Sequence, residues 1–337
     1  MKRLSGAAAA VAWATLLTVP GAAAQPAAPA APSAQSAAGG YPARTVTIIV
    51  PFGAGGSADV FARAIAQRLS HDSGHPFVVE NRPGAGAVIG TQAVAKAAPD
   101  GYTLLMMSNT QTVNETLLRN KPYQLLRDFV PVAPVNEAPL VLVTRADLGV
   151  GSLAELLKRA KVSPGKLTYA SSGTGTPYHM AGELFKSMAG VSILHIPYRS
   201  SGGARTDVIG GQVDMMFDAV ATMTEMITAG RVRALATTGG DRSSVLPALP
   251  TMAEQGLPRY SATLWLGILA PKGTPAAIVD WLNASIARIV REAAPSPAWA
   301  GSGVNPLTMS PVDFGRYLER DIAKWRRVIE SANIKAE

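Results

Sequence analysis

Two glycine-rich stretches carry the clearest chemical potential in this 337-residue chain. The first reads Pro51-Phe52-Gly53-Ala54-Gly55-Gly56-Ser57-Ala58-Asp59. Its glycines let the backbone adopt positive φ and bring N–H groups close to a ligand. Ser57 is a candidate N-cap, and a helix behind it would present unpaired N–H groups at its positive end. Together these features make a seat for an anion. Asp59 falls in the first turn of that helix, where it would stabilise the dipole, orient the loop or meet a donor on a ligand. The second stretch is Ser171-Ser172-Gly173-Thr174-Gly175-Thr176, followed by Pro177. Thr176 fits an N-cap and Pro177 the first helical position, where a missing N–H costs nothing. Two such loops in one chain point to a shared binding site for a small anion.

Catalytic readings are weaker. Gly53, Gly55 and Ala58 match a formal dinucleotide fingerprint, with Glu80 near the expected ribose-binding acid. Pro51 and Phe52 are foreign to that motif, and an exported chain lies outside the compartment of nicotinamide cofactors. No serine-hydrolase elbow occurs. His179 and His195 read as structural, although Ser171 or Ser172 beside His179 could form a nucleophile pair on paper. With zero cysteines and four histidines, a transition-metal site is not expected. His71 and His75 read as a polar helix end. No cofactor is expected.

The elements that must position the loops alternate between β-rich runs and helical patterns, which argues for α/β architecture. Residues 46–50 read as a buried strand. Residues 57–69 show helical spacing at Val60, Phe61, Ala64, Ile65 and Leu69. Strands are expected at 77–80, 102–107, 140–143, 166–170, 193–197, 213–218, 234–238 and 265–270. Helices are expected at 90–97, 153–160, 177–189, 204–209, 222–229, 275–293 and 311–331. Both loops thus leave the carboxyl ends of strands, where open α/β sheets bind ligands.

The start of the chain is a different matter. Lys2 and Arg3 precede an apolar run over residues 7–19, and Ala22-Ala23-Ala24 offers a cleavage site. That is the order of a secretory signal peptide. Residues 1–24 are read as that peptide, and residues 25–40 as a flexible Ala/Pro/Ser-rich leader. The rest should be soluble and periplasmic. Without Lys2 and Arg3 the net charge of +8 falls to about +6, a balance that favours anionic partners. The basic residues are scattered and form no nucleic-acid-binding motif.

These stretches, in this order, resemble the substrate-binding receptors of tripartite tricarboxylate transporters, often called Bug receptors. The resemblance runs from Tyr41 to the C-terminus. It is carried by Val50-Pro51-Phe52-Gly53-Ala54-Gly55-Gly56 with Asp59, and by Val79-Glu80-Asn81-Arg82-Pro83-Gly84-Ala85-Gly86. Further stretches are Pro99-Asp100-Gly101-Tyr102, Tyr169-Ala170-Ser171-Ser172-Gly173, His195-Ile196-Pro197-Tyr198-Arg199 and Gly210-Gly211-Gln212-Val213-Asp214. The resemblance implies a type II periplasmic binding protein fold: two α/β lobes, two crossing strands and a cleft between them. It implies that Phe52, Gly53, Gly55, Gly56, Ser57 and Asp59 form one jaw. Ser171, Ser172, Gly173, Thr174 and Thr176 would form the other, with Ser108 and Asp218 as further candidates at strand ends. The implied ligand is a small carboxylate, and the implied partners are membrane permease subunits. Two departures from the family pattern stand out. Ser200 and Gly203 replace a usual Gly and Pro, and Gly53 and Ala54 stand where prolines are common.

The expected division is residues 41–141 plus 264–337 for one lobe and 142–263 for the other, with 140–143 and 265–270 as crossing segments. The expected function is a monomeric receptor that closes on its ligand and breaks no bond. A receptor feeding a membrane kinase and an exported enzyme on the same fold are the alternatives.

Overall fold

The computed structural model describes residues 39–336 apart from 297, 298, 300 and 302. The signal-peptide reading of residues 1–24, and all but the end of the leader, lie outside the described residues. Ten strands are joined into one curled sheet with two halves.

The first half is built on β1 (Val46–Val50), whose residues are almost all buried. Such an apolar run is what a parallel strand covered on both faces requires. β1 pairs in parallel with β2 (Phe77–Asn81) and β3 (Thr103–Ser108). β9 (Thr263–Pro271) then adds antiparallel to β3. The 17-residue β4 (Phe129–Arg145) passes through both halves. Its Phe129 to Pro139 portion pairs with β9, and β10 (Asn305–Pro306) lies on the same portion.

From Leu140 onward β4 enters the second half. There it pairs antiparallel with β7 (Met215–Ala219) and β8 (Val232–Thr237). β7 pairs in parallel with β5 (Thr168–Ser171), which pairs in parallel with β6 (Leu194–Pro197). The first crossing falls at Leu140, in the expected segment, and the second differs from expectation. β4 crosses as one continuous strand that begins eleven residues before Leu140, because its Pro-rich first portion still pairs with β9. The expected crossing segment at residues 265–270 belongs wholly to the first half. The return crossing is made by the chain between Thr238 and Ala262. Buried Thr238 fastens it: its hydroxyl accepts from Leu140 N at 2.7 Å and donates to Ala262 O at 2.5 Å.

Ten helices cover the sheet among the described residues: α1 (Ser57–Ser73), α2 (Val88–Ala95), α3 (Asn109–Leu117), α4 (Leu125–Asp128), α5 (Leu153–Val162), α6 (Pro177–Ala189), α7 (Ser201–Ile209), α8 (Val220–Thr228), α9 (Ala276–Ala293) and α10 (Pro311–Ser331). Their ends follow local chemistry. Gly74 closes α1 in the left-handed region at φ 72°. Ser152 caps α5, and Ser310 caps α10 ahead of Pro311. α3 is absent from the sequence expectations. Its Asn109, Thr110, Gln111, Thr112 and Asn114 are all buried, so it carries no apolar stripe. It is fixed instead by a capping box between Ser108 and Gln111. None of the described helices is long and apolar enough to cross a membrane.

Candidate functional site

The β1–α1 loop is held from behind. Asp59, 5% exposed, accepts from Gly55 N, Arg63 Nε and Asn81 Nδ2, each at 3.0 Å. Asn81 Nδ2 also donates to Phe52 O at 3.1 Å. Burial would raise the Asp59 pKa, but these three donors outweigh it and hold the carboxyl below its ordinary value. Asp59 is thus spent on shaping the loop, and it takes the Gly55 N–H with it. The N-cap of α1 is Gly56, not Ser57 as expected, and no side chain caps this end. The physical reason is that Ser57 already has helical backbone, so its hydroxyl cannot fold back on the first turn. Ser57 Oγ is instead buried against the Tyr178 phenol at the start of α6.

In the opposing loop, Thr176 caps α6 and Pro177 opens it, as the sequence predicts. Thr176 Oγ1 also donates to Gly173 O at 2.6 Å. Ser171 is fully buried, and its Oγ lies 2.6 Å from His195 Nε2. His179, the expected on-paper partner of that serine, accepts from Gly175 N through Nδ1 at 3.2 Å. Its ring stands 4.3 Å from that of His195. Burial, then the neighbouring His195 and Lys186, push the His179 pKa down to about 3, so the ring is neutral. These histidines brace the second loop from inside. The acid of the formal dinucleotide motif, Glu80, is gripped by Arg82 at 2.6 and 3.0 Å.

The loops meet over a small cavity of about 30 Å³. Of the expected residues, Phe52, Gly53, Gly56, Ser57, Ser108 and Ser172 line it. Gly55, Asp59, Ser171, Thr176 and Asp218 stand outside the lining and support it. Gly173 and Thr174 face a separate, open groove of about 1200 Å³ beside the chain's C-terminal end. The sequence reading missed Tyr178, Ser200, Ser201, Leu264 and Leu266, which complete the cavity wall. Ser200 was legible as a cap: its Oγ accepts from Gly203 N at 3.3 Å and starts α7.

Glycines allow the close approach. A Cβ on Gly53 would stand 2.5 Å from Ser200 Cβ, and one on Gly56 3.2 Å from Ser201 Oγ. Behind the wall lies a buried ion pair that the sequence did not reveal. Arg205 Nε on α7 donates to Asp218 Oδ2 at 2.8 Å, and Asp218 Oδ1 accepts from Ala219 N at 2.8 Å. Burial raises the Asp218 pKa, against the opposing pull of Arg205. Burial, and then the charge of Asp218, also raise the pKa of Tyr178, keeping its phenol neutral. Among the described residues, no cluster of three or more His, Asp or Glu could hold a metal ion.

A site of hydroxyls, glycine backbone and three helix starts, set between two halves of one sheet, is the arrangement of a solute receptor. The profile of the "Tripartite tricarboxylate transporter family receptor" matches residues 61–334. The chain belongs to this family of receptors. It is 41% identical over 297 residues to "Protein BugT" of Bordetella pertussis, covering 88% of this chain and 91% of that one. It is 40% identical over 297 residues to the "UPF0065 protein in tcbD-tcbE intergenic region" of Pseudomonas sp. strain P51, covering 88% of each. Among solved structures it resembles R. palustris Rpa4515 with adipate, at 36% identity and a TM-score of 0.83 over 88% of this chain and 100% of that one. It also resembles MatC from Rhodopseudomonas palustris with bound malate, at 31% identity and a TM-score of 0.80 over 86% and 100%. The periplasmic binding protein BugD matches at 33% identity and a TM-score of 0.83, over 88% and 100%. The mixed α/β, two-halved architecture is therefore that of the family's periplasmic binding proteins.

Proposed function

We propose that this receptor is exported to the periplasm, captures a small carboxylate between its two lobes and hands it to the permease subunits of a tripartite transporter. The signal peptide is removed near Ala24 and the receptor acts as a monomer. Residues 41–141 plus 264–337 form one lobe and 142–263 the other. The two link segments around Leu140 and Thr238 are the natural pivots.

What supports this reading above all is the meeting of two loops from opposite halves of the sheet over one cavity. Each opens a helix. The starts of α1, α6 and α7 converge there, and helix starts favour negative charge. Phe52, Gly53, Gly56, Ser57, Ser108 and Ser172 are the proposed ligand contacts. Gly55, Asp59, Ser171, Gly173, Thr174, Thr176 and Asp218 shape the jaws around them. The relatives with adipate and with malate bind carboxylates in the same fold. Binding without turnover agrees with the wiring of Ser171: its hydroxyl is buried against His195, away from the cavity wall.

The test is thermal unfolding of the purified protein against small carboxylates, amino acids and aromatic acids. A saturable upward shift with an acid supports the receptor reading, because a ligand that binds only the native state stabilises it. No shift with any acid, together with a shift by a nicotinamide dinucleotide, would overturn it.

A further inference from the structure

We infer that Arg205 is a positioning residue for the ligand: from behind the cavity wall it turns the Ser201 hydroxyl into the cavity as a donor for a carboxylate. This inference rests on the carboxylate reading above and adds a residue to it.

The wall itself offers no side-chain charge. Among the described residues, no Lys, Arg, His, Asp or Glu lines the cavity. Arg205 stands one layer behind it. Its Nε donates to Asp218 Oδ2 at 2.8 Å, and its Nη2 donates to Ser201 Oγ at 3.4 Å. Ser201 is in the lining, buried, and close to the first jaw: a Cβ on Gly56 would stand 3.2 Å from Ser201 Oγ. A cation of the second half of the sheet is thus joined, through one hydroxyl, to the space between the jaws.

The polarity of that hydroxyl follows. A guanidinium only donates, so Ser201 Oγ receives from Arg205 through a lone pair. The positive charge on that side turns the hydroxyl proton away, toward the cavity. A hydroxyl polarised in this way donates more strongly to the next acceptor in the chain. Ser201 is also the first residue of α7, whose positive end adds to the effect.

Asp218 sets the direction of the guanidinium. Its Oδ2 holds Nε, and its Oδ1 is itself held by Ala219 N at 2.8 Å. The donors of a guanidinium form a rigid planar fork, so anchoring Nε fixes where Nη2 points. The same carboxylate faces the Tyr178 phenol, which in turn meets Ser57 of the other half. The ion pair therefore stands behind two hydroxyls of the wall, and Ser201 is the one that carries its positive end.

Calorimetric titration of the purified protein with succinate, adipate, malate and citrate tests this, each variant being titrated with the acids that bind the parent chain. Ser201→Ala and Arg205→Gln should each weaken binding about tenfold, the worth of one hydrogen bond to a charged group. Ser201→Ala should leave the unfolding midpoint nearly unchanged. Combined, the two should cost no more than either alone, about tenfold, because both remove the same donor. A purely structural role for Arg205 would multiply the losses to about a hundredfold in the double variant, and that result overturns the inference. Arg205→Gln leaves Asp218 without its cation, so Arg205→Gln with Asp218→Asn forms a second arm that removes both charges together. This neutral pair should keep the unfolding midpoint near that of the parent while binding still falls about tenfold. Unchanged affinity in the neutral pair, or in Ser201→Ala, overturns the inference and leaves the receptor reading intact. Binding of none of the four acids by the parent chain sinks the carboxylate reading itself, and this inference with it.

Discussion

Gly53 and Ser200 touch across the cleft: a methyl group on Gly53 would be driven to within 2.5 Å of Ser200 Cβ. The two residues come from opposite halves of the sheet, and they face each other. A side chain at Gly53 would hold the jaws apart rather than unfold the protein. Gly53→Ala should therefore weaken ligand binding about tenfold or more with little change in the unfolding midpoint. Because the obstacle is a single Cβ, Gly53→Ala combined with Ser200→Gly should recover most of the affinity. The lost cap costs only a few tenths of a kcal/mol when Gly replaces Ser. Additive losses in the double variant would show that contact between these two residues is not the cause.

Gly56→Asp adds a carboxylate at the start of α1, beside Ser201 Oγ. Asp is a favoured N-cap, so the helix should gain slightly. The same charge repels an anionic ligand in a poorly solvated space. We expect a hundredfold or greater loss of affinity, equivalent to about 2.7 kcal/mol, with thermal stability kept or raised. Unchanged affinity by titration would refute the first jaw.

Arg205 and Asp218 form the buried ion pair behind the wall. Arg205→Ala leaves the carboxyl of Asp218, 0% exposed, without its cation. Breaking a buried pair from one side costs about 3–5 kcal/mol. Urea unfolding at neutral pH should report a loss of this order. The loss should shrink in acid, where Asp218 takes up a proton instead.

Two buried groups give the receptor opposing pH dependences. His179 has a folded pKa of about 3, below its ordinary 6.5, so its contribution is complete above 6.5 and is lost as pH falls through the range below. Asp321 hydrogen-bonds Thr112, and burial raises its pKa from 3.8 to about 6. Its contribution is complete below 3.8 and is lost as pH rises to about 6. Each amounts to about 1.4 kcal/mol per pH unit inside its window. Between about pH 4 and 6 the two offset each other. His179→Gln should unmask stability that falls with rising pH in that range. Asp321→Asn should unmask the reverse slope. Parallel pH profiles for both variants in chemical unfolding would show the assignments to be wrong.

Gly182 on α6 lies flat against the Tyr169 ring, where an added Cβ would come within 2.3 Å of Cε2. That ring stacks on His195 at 4.8 Å and its hydroxyl donates to Glu183 Oε1 at 2.6 Å, so it cannot swing away freely. Gly182→Ala should cost about 1–3 kcal/mol by overpacking. Circular dichroism during urea unfolding would measure it. An unchanged midpoint would mean that α6 shifts as a body without penalty.

The sequence by itself determined the elements that local chemistry dictates. The apolar run at Val46–Val50 could only be a covered strand. Thr176 with Pro177, Ser152, and Ser310 with Pro311 fixed the starts of α6, α5 and α10, because caps act over three or four residues. The two glycine loops were legible for the same reason. What escaped had causes distant in sequence. α3 is buried through polar contacts with partners such as Thr91 and Asp321, so no periodicity announces it. The length of β4 depends on partners in both halves of the sheet.

The site divides along the same line. Hydroxyls and glycines at loop positions were evident, but their duties were decided by tertiary packing. Asp59 turned inward because Arg63 and Asn81 reach it, and Ser57 was left facing the cavity because its backbone had become helical. Thr174 faces another groove, while Tyr178 and Leu266, unremarkable in sequence, form wall. Arg205 meets Asp218 across 13 residues because α7 packs on β7. Backbone chemistry is short-ranged and can be read along a chain. The facing of one side chain toward another is set only when the sheet halves close over the same space.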